Sequence, residues 1–292
     1  MDARLALEKL SQQAFLYIDI LNGRIDRNLT SRRPLTKDTA DIYRGTLRPK
    51  GTRVAVKTIH AGPPSSQEAI ERVVRAIHTW SKLHHENILP LLGITTDFSL
   101  TVSLIFRWRE KGPAIYYVQD RSIDPRSLLV GIAQGLYYLH NHESGTICHG
   151  DLRGYNVVVA DDGRALLTDF GFSSLINSSF TLPVGTHHIG SVNWTAPEGL
   201  EDFMPTVKQD VWAYGMTALE LFTRNPPFHE IRTITGIMRR IMSELPDRPS
   251  PESTCSRLTD EWWGICTSCW SSSPSERPDI ADILVMLRNL KG

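Results

Sequence analysis

Apolar positions change their spacing several times along this 292-residue chain, and each change marks a different kind of element. Residues 4–21 put Leu7, Leu10, Ala14, Tyr17, Ile18 and Leu21 close to one helical face, which predicts a helix packed on whatever follows. Over 30–60 the pattern turns to short β-prone runs. Two of these, Ala40–Leu47 and 53–59, are joined across Pro49-Lys50-Gly51 and predict successive antiparallel strands. Pro63-Pro64 ends that sheet. Ser65 with Glu68 then reads as a capping box opening a helix whose Ile70, Val73, Val74, Ile77 and Trp80 recur at helical spacing, a face expected to lie against the sheet.

Strand-like runs at 91–96 and 100–106 precede a polar segment at 107–113, and from there the spacing is mainly helical. Helices are predicted at 127–139 and near 208–223, 232–243, 259–270 and 278–290. One tight hairpin interrupts them, with 157–160 and 165–168 flanking Asp161-Asp162-Gly163. There is no internal repeat, low-complexity tract or flexible linker, so one cooperative unit is expected.

Composition narrows the class. The chain is 41% hydrophobic and 22% charged, a globular balance. Lys plus Arg equals Asp plus Glu at 32 each, so no net field draws in nucleic acid or an anionic membrane. No apolar run reaches the roughly 18 residues of a membrane span. Met1-Asp2-Ala3-Arg4 carries neither a signal-peptide core nor a myristoylation glycine, so the expectation is a soluble, unanchored chain. On that expectation, the glycosylation-type triplets at Asn28, Asn177 and Asn193 are chance. Cys148, Cys255, Cys266 and Cys269 are unevenly spread, which suits a reducing, cytoplasmic compartment. Cys266 and Cys269 have the spacing of half a metal site, but they fall in a helical apolar pattern with Trp270, so core packing is the reading preferred. His84, His85, His140, His142, His187 and His188 are read as surface or structural, and the seven tryptophans as anchors of the core rather than a base-stacking strip.

Chemistry concentrates in His149-Gly150-Asp151-Leu152-Arg153-Gly154-Tyr155-Asn156, followed after one hairpin by Asp169-Phe170-Gly171. Phosphoryl transfer is largely positioning and charge neutralisation. It needs one carboxylate near the attacking hydroxyl and other oxygens to hold magnesium on the phosphates. Read without any family, these are a solvated loop and a hairpin carrying ordinary acids. Four further motifs occur in order: Val54-Ala55-Val56-Lys57, Ala196-Pro197-Glu198, Asp210-Val211-Trp212-Ala213-Tyr214-Gly215, and Ser275-Glu276-Arg277-Pro278. Together, from about residue 40 to residue 288, they resemble the protein kinase family. The segments 80–92 and 194–198 are most similar to its tyrosine-kinase-like group.

The resemblance implies an α+β, bilobal protein-kinase fold: a small antiparallel-sheet N-lobe with one long helix, and a larger, mainly helical C-lobe. Residues 1–29 would form an N-terminal helical extension, 30–108 the N-lobe and 109–292 the C-lobe. It also implies ATP and Mg2+ as cofactors and a protein substrate or signalling partner, with no nucleic acid and no membrane. Asp151 would orient the nucleophile, Lys57 and Arg153 neutralise phosphate, and Asn156 and Asp169 hold the metal. Ala55 and the gatekeeper Phe106 would line the adenine, with Arg107 and Arg109 in the hinge. Asp210 would cap the catalytic loop, and Arg277 would pair with Glu198.

The chain also departs from the family pattern. Where the phosphate-covering loop carries three glycines, this chain has Leu35, Lys37 and Ala40, and each side chain restricts the backbone's approach to phosphate. Lys37 could offset this with its ammonium. The helix position that should present a glutamate to Lys57 holds Ala76; Glu71 and Glu68 lie about 140° and about 80° around the helix from it. Lys57 is expected to pair with Asp169 instead. Gly150 replaces the arginine that docks a phosphorylated activation loop, so phosphate on Ser173, Ser174, Ser178, Ser179, Thr181 or Thr186 is not expected to order the segment through this residue. Arg153 replaces a lysine, exchanging a point charge for a planar fork. Two functions follow: an active kinase acting on serine or threonine ahead of tyrosine, a preference drawn from Ser191, or a pseudokinase that serves as a scaffold or allosteric partner with its pocket occupied or empty.

Overall fold

The computed structural model describes residues 2–27, 40–59, 63–64, 66–170, 191–201 and 204–290. The chain forms two compact units. One holds Met1–His84 and Leu89–Trp108, and the other holds His85–Ile88, Arg109–Phe172 and His188–Gly292.

The first unit is built on a five-stranded antiparallel sheet. Its strands are β1 (Ile25–Arg27), β2 (Ala40–Leu47), β3 (Thr52–Ile59), β4 (Leu91–Thr95) and β5 (Ser103–Arg107), in the spatial order β1-β2-β3-β5-β4. Alternation along β3 and β5 sorts the side chains. Val54, Val56 and Ile105 enter a buried cluster with Leu21 and Ile25, against which Tyr43, Leu47, Leu92 and Phe98 pack. Ala55, Lys57, Leu104 and Phe106 therefore belong to the opposite face. Strand β1 is too short for alternation to announce it, and it is held in place by pairing Ile25, Asp26 and Arg27 with Leu47, Thr46 and Gly45.

Helix α1 (Ala3–Ala14) is capped by Asp2, whose side chain accepts from the Arg4 and Leu5 N–H groups, and it buries Ala6, Leu7, Leu10 and Ala14. It is shorter than the helix expected over 4–21. After Ala14 the chain tightens into a turn, with Tyr17 N–H donating to the Ala14 carbonyl at 2.9 Å, and then joins the sheet. There Ile94 donates to the Asp19 carbonyl at 3.0 Å and accepts from Leu21 N–H at 2.8 Å. Leu21 is thus buried under strands, and its helix-like spacing from Ala14 is coincidental. Helix α2 (Gln67–Lys82) follows with Ile70, Val73, Val74, Ile77 and Trp80 all buried. Its observed N-cap is Ser66, which accepts from Ala69 N–H at 3.2 Å, whereas the expected cap Ser65 lies outside the described residues. The helix packed along α2 is α1, with the Tyr17 ring 4.0 Å from that of His78.

The second unit contains α3 (Ala114–Tyr117), α4 (Arg126–His140), the hairpin β6 (Val157–Val159) and β7 (Ala165–Leu167), α5 (Val207–Thr223), α6 (Ile234–Ser243), α7 (Asp260–Ser268) and α8 (Ile280–Asn289). Every residue of α5 from Asp210 to Phe222 is buried. A helix apolar on all sides belongs in the centre of its unit, and here α3, α4 and α7 pack around it. Thr206 and Gln209 close a capping box at its start. Although 85–88 lies between two stretches of the first unit, it packs in the second. Asn87 Nδ2 donates to the Ala165 carbonyl at 2.9 Å, and the Asn87 carbonyl accepts from Leu167 N–H at 2.8 Å. Among the described residues no helix is long and apolar enough to cross a membrane.

Candidate active site

The loop from His149 to Asn156 is fixed from beneath by α5. Asp210, 1% exposed, points one carboxylate oxygen at His149 N–H (2.7 Å) and the other at Gly150 N–H (2.8 Å). His140 on α4 adds a third contact, with Nε2 at 2.8 Å from Asp210 Oδ2. Two backbone donors that would otherwise be buried without partners are thereby satisfied. Farther along, Thr217 donates to the Leu152 carbonyl at 3.4 Å, and Gly154 N–H donates to Glu220 Oε2 at 2.7 Å. The loop is pinned at 149–150, 152 and 154, so its half-buried Asp151, Arg153 and Tyr155 side chains project from a rigid base. Gly150 suits its place, since its φ is +76° and a Cβ there would sit 3.1 Å from Pro205 Cβ.

On that base Asn156 Nδ2 donates to both the Asp151 carbonyl (2.7 Å) and Asp151 Oδ2 (2.8 Å), fixing the carboxylate relative to its own backbone. Arg153 Nε lies 3.6 Å from Asp151 Oδ1. His149 is buried, and its Nδ1 accepts from Asp151 N–H at 3.3 Å. Burial, more than the opposing pull of Asp210, Asp151 and Asp169, holds this imidazole below its usual range and therefore neutral at pH 7. Asp169 follows β7. Thr168 N–H donates to the Asn156 carbonyl at 3.0 Å, and Thr168 Oγ1 to Asp169 Oδ1 at 3.1 Å, while Asp169 itself adopts φ +68°. A non-glycine residue in the left-handed region is strained, and such strain concentrates at functional sites. Asp151, Arg153, Asn156 and Asp169 thus share the second unit.

Asn156 and Asp169 offer hard oxygen donors, the type that magnesium prefers. Among the described residues no group of three or more His, Cys, Asp or Glu could hold a metal by itself, so an ion here would draw further oxygens from phosphate and water. The Cys266–Cys269 pair takes the packing alternative. Both are buried, Cys269 Sγ donates to the Ile265 carbonyl at 3.2 Å, and burial pushes the Cys269 thiol up to about 12.

The strand candidates lie in the first unit. Ala55 is registered against Phe106, Val54 against Arg107 and Lys57 against Leu104, so Ala55, Lys57 and Phe106 occupy one face of β3 and β5. Lys57 is 6% exposed. Ala40 opens β2 opposite Ile59 and is buried, whereas Leu35 and Lys37 lie outside the described residues. Glu68 and Glu71 are both exposed on α2. Arg109 belongs to the second unit, where its Nη1 is 3.3 Å from Asp161 Oδ2 in the β6–β7 turn. Gly171, His187, His188 and the six candidate phosphorylation positions lie outside the described residues.

A half-buried ion pair steadies the segment that carries Glu198. Arg277, 1% exposed, meets Glu198 through Nη1–Oε1 at 2.6 Å and Nη2–Oε2 at 2.8 Å, with Nε donating to the Ser271 carbonyl at 2.9 Å. Its guanidinium also lies 5.1 Å from the Trp212 ring centre. The planar fork satisfies both carboxylate oxygens at once.

Two residues that sequence reasoning passed over belong to this scaffold. His140, read as surface or structural, is the third ligand of the Asp210 carboxylate. Glu220, which no motif includes, accepts from both the 149–156 loop and the Trp194 indole, whose Nε1 lies 2.9 Å from Oε2. The available signal was a carboxylate inside the apolar run Met216-Thr217-Ala218-Leu219-Glu220-Leu221-Phe222.

The model of the protein tyrosine and serine/threonine kinase family matches residues 36–287. MAP3K epsilon protein kinase 1 of Arabidopsis thaliana is 29% identical over 250 residues, covering 83% of this chain and 17% of that protein. Cell division control protein 7 of Schizosaccharomyces pombe is 28% identical over 241 residues, covering 81% and 21%. A probable LRR receptor-like serine/threonine-protein kinase of Arabidopsis thaliana is 29% identical over 271 residues, covering 86% and 43%. The chain spans less than half the length of each of these relatives.

Proposed function

Since the chain belongs to the protein tyrosine and serine/threonine kinase family, we propose that it transfers the γ-phosphoryl of ATP to serine or threonine hydroxyls of proteins. The observation that carries this reading is the Asp151 carboxylate, fixed by Asn156 Nδ2 at 2.8 Å with Arg153 beside it. Asp151 accepts the proton of the attacking hydroxyl and aims its oxygen. Arg153 offsets the charge of the transferring phosphoryl group, and Lys57 steadies the α- and β-phosphates. Asn156 Oδ1 and the Asp169 carboxylate are the atoms that would hold magnesium, whose charge would offset that of the phosphates. Ala55 and Phe106 on one sheet face, with the backbone around Arg107 and Arg109, receive the adenine. Residues 30–108 and 109–292 act as the two lobes, with 1–29 as an extension. The preference for serine and threonine draws on Ser191 and on the likeness to the LRR receptor-like serine/threonine-protein kinase. The substrate is a protein, met in the cytoplasm.

Transfer of labelled phosphate to a peptide array tests this. Asp151→Asn is expected to lower turnover by at least about 100-fold with binding of ATP retained; equal turnover in wild type and variant overturns the assignment. The second reading, a pseudokinase scaffold, is favoured by the absence of glycine at Leu35, Lys37 and Ala40 and of a glutamate at Ala76. It predicts no turnover in either protein. Melting with MgATP then separates its two forms, because a ligand at 100 times its Kd adds about 2.7 kcal/mol and an empty pocket adds nothing.

A further inference from the structure

Glu220 is 2% exposed, lies near the C-terminal end of α5, and belongs to the scaffold rather than to the reacting groups. Its Oε2 is the meeting point of two donors from different segments: Gly154 N–H from the catalytic loop at 2.7 Å, and Trp194 Nε1–H, four residues before Glu198, at 2.9 Å. Gly154 allows this approach, since a Cβ there would stand 3.0 Å from the same oxygen. Arg153, directly before Gly154, closes the group from above. Its guanidinium carbon is 5.9 Å from the Trp194 ring centre and 5.7 Å from that of Tyr155, and its Nε is 3.6 Å from Asp151 Oδ1. The cluster runs from Asp151 through Arg153 and Trp194 to Glu220 and returns through Gly154.

We propose that Glu220 is a positioning residue for phosphoryl transfer: its ionised carboxylate ties Gly154 to Trp194 and so holds Arg153 over the indole and beside Asp151. The proposal rests on the kinase reading above. Protonation changes the cluster in a defined way. A neutral carboxyl places a hydroxyl where a second acceptor electron pair was, weakens both N–H contacts, and removes the negative charge that faces Arg153. Arg153 is the charged group acting on Glu220 from the catalytic loop; Trp194 brings only its indole, and Gly154 only its N–H. Burial dominates these favourable contacts and raises the carboxyl to about 7, so the exchange falls within the range in which a kinase is assayed.

The experiment measures kcat and KM for peptide phosphorylation from pH 6 to 8, together with the indole N–H resonance of Trp194 assigned through Trp194→Phe. In wild type, kcat is expected to fall toward pH 6 with a midpoint near 7, KM for ATP to hold steady, and the Trp194 resonance to move with the same midpoint. Glu220→Gln is expected to abolish both titrations and to lower kcat at pH 8 about tenfold. Profiles of Glu220→Gln and wild type that superimpose overturn the proposal. If Glu220→Gln does not fold, Trp194→Phe takes its place: losing one donor to the carboxylate should move the kcat midpoint upward, and an unchanged midpoint is contrary. If wild type turns over at no pH, the kinase reading fails. The resonance then decides the clasp alone, supporting it by moving near pH 7 and overturning it by staying still.

Discussion

Helix α5 carries a buried carboxylate near each end, and both hold the same loop. Asp210, in the first turn, faces three donors: two backbone N–H groups and the His140 ring. Glu220, near the last turn, faces two donors that share one oxygen, with burial prevailing over them. The helix itself contributes to the contrast, since its N-terminal end favours negative charge and its C-terminal end opposes it. Burial prevails where only two donors share one oxygen, and it raises the Glu220 carboxyl to about 7.

The sharpest way to break this comparison is Asp210→Ala, which would strand the His149 and Gly150 N–H groups and the His140 ring at once. A loss of about 4 kcal/mol in urea unfolding is expected, and a loss under about 1 kcal/mol would mean that the first-turn carboxylate is no anchor. The pH dependence of stability comes next. A carboxyl whose folded value is raised from 4.5 to about 7 binds its proton more tightly in the folded state. Its stabilisation is complete below about pH 4.5 and is lost as pH rises to about 7, an effect on the order of 3 kcal/mol. Glu220→Gln should flatten that segment of the curve. His149 works in the opposite sense, because its lowered folded value costs stability as pH falls below about 6.5. Replacing the backbone at the loop's near end is a smaller test: Gly150→Ala, at φ +76° and close to Pro205, is expected to cost about 1–2 kcal/mol by thermal melting. The smallest effect belongs to an ion pair outside the helix. Arg164 and Asp162 meet at 2.7 Å in the β6–β7 turn, both about half exposed, and Arg164→Ala should change stability by less than about 1 kcal/mol.

Sequence made parts of this visible for reasons that can be stated. Ile70, Val73, Val74, Ile77 and Trp80 disclose α2 because one face is buried and the other is not. Asp210 and Arg277 could be placed because each sits in a motif whose spacing carries its role, and each meets the partner that role requires. The end of α1 was misread because Tyr17, Ile18 and Leu21 continue a helical spacing, although main-chain pairing with Ile94 claims that stretch for the sheet. Glu220 was silent for the converse reason. When every side of a helix is buried, periodicity cannot single out the one carboxylate that meets the loop.

The lodging of Asn87 has a practical consequence for anyone dissecting the protein. Because 85–88 is built into the helical unit while the residues on either side belong to the sheet, neither unit is one uninterrupted length of chain. A fragment beginning at 109 would leave Leu167 N–H without the Asn87 main-chain carbonyl and the Ala165 carbonyl without the Asn87 side-chain amide, and would open a void over Gly131, whose missing Cβ leaves room for that side chain. Expression of the helical half should therefore succeed only when 85–88 is supplied, in cis by a longer clone or in trans as a peptide.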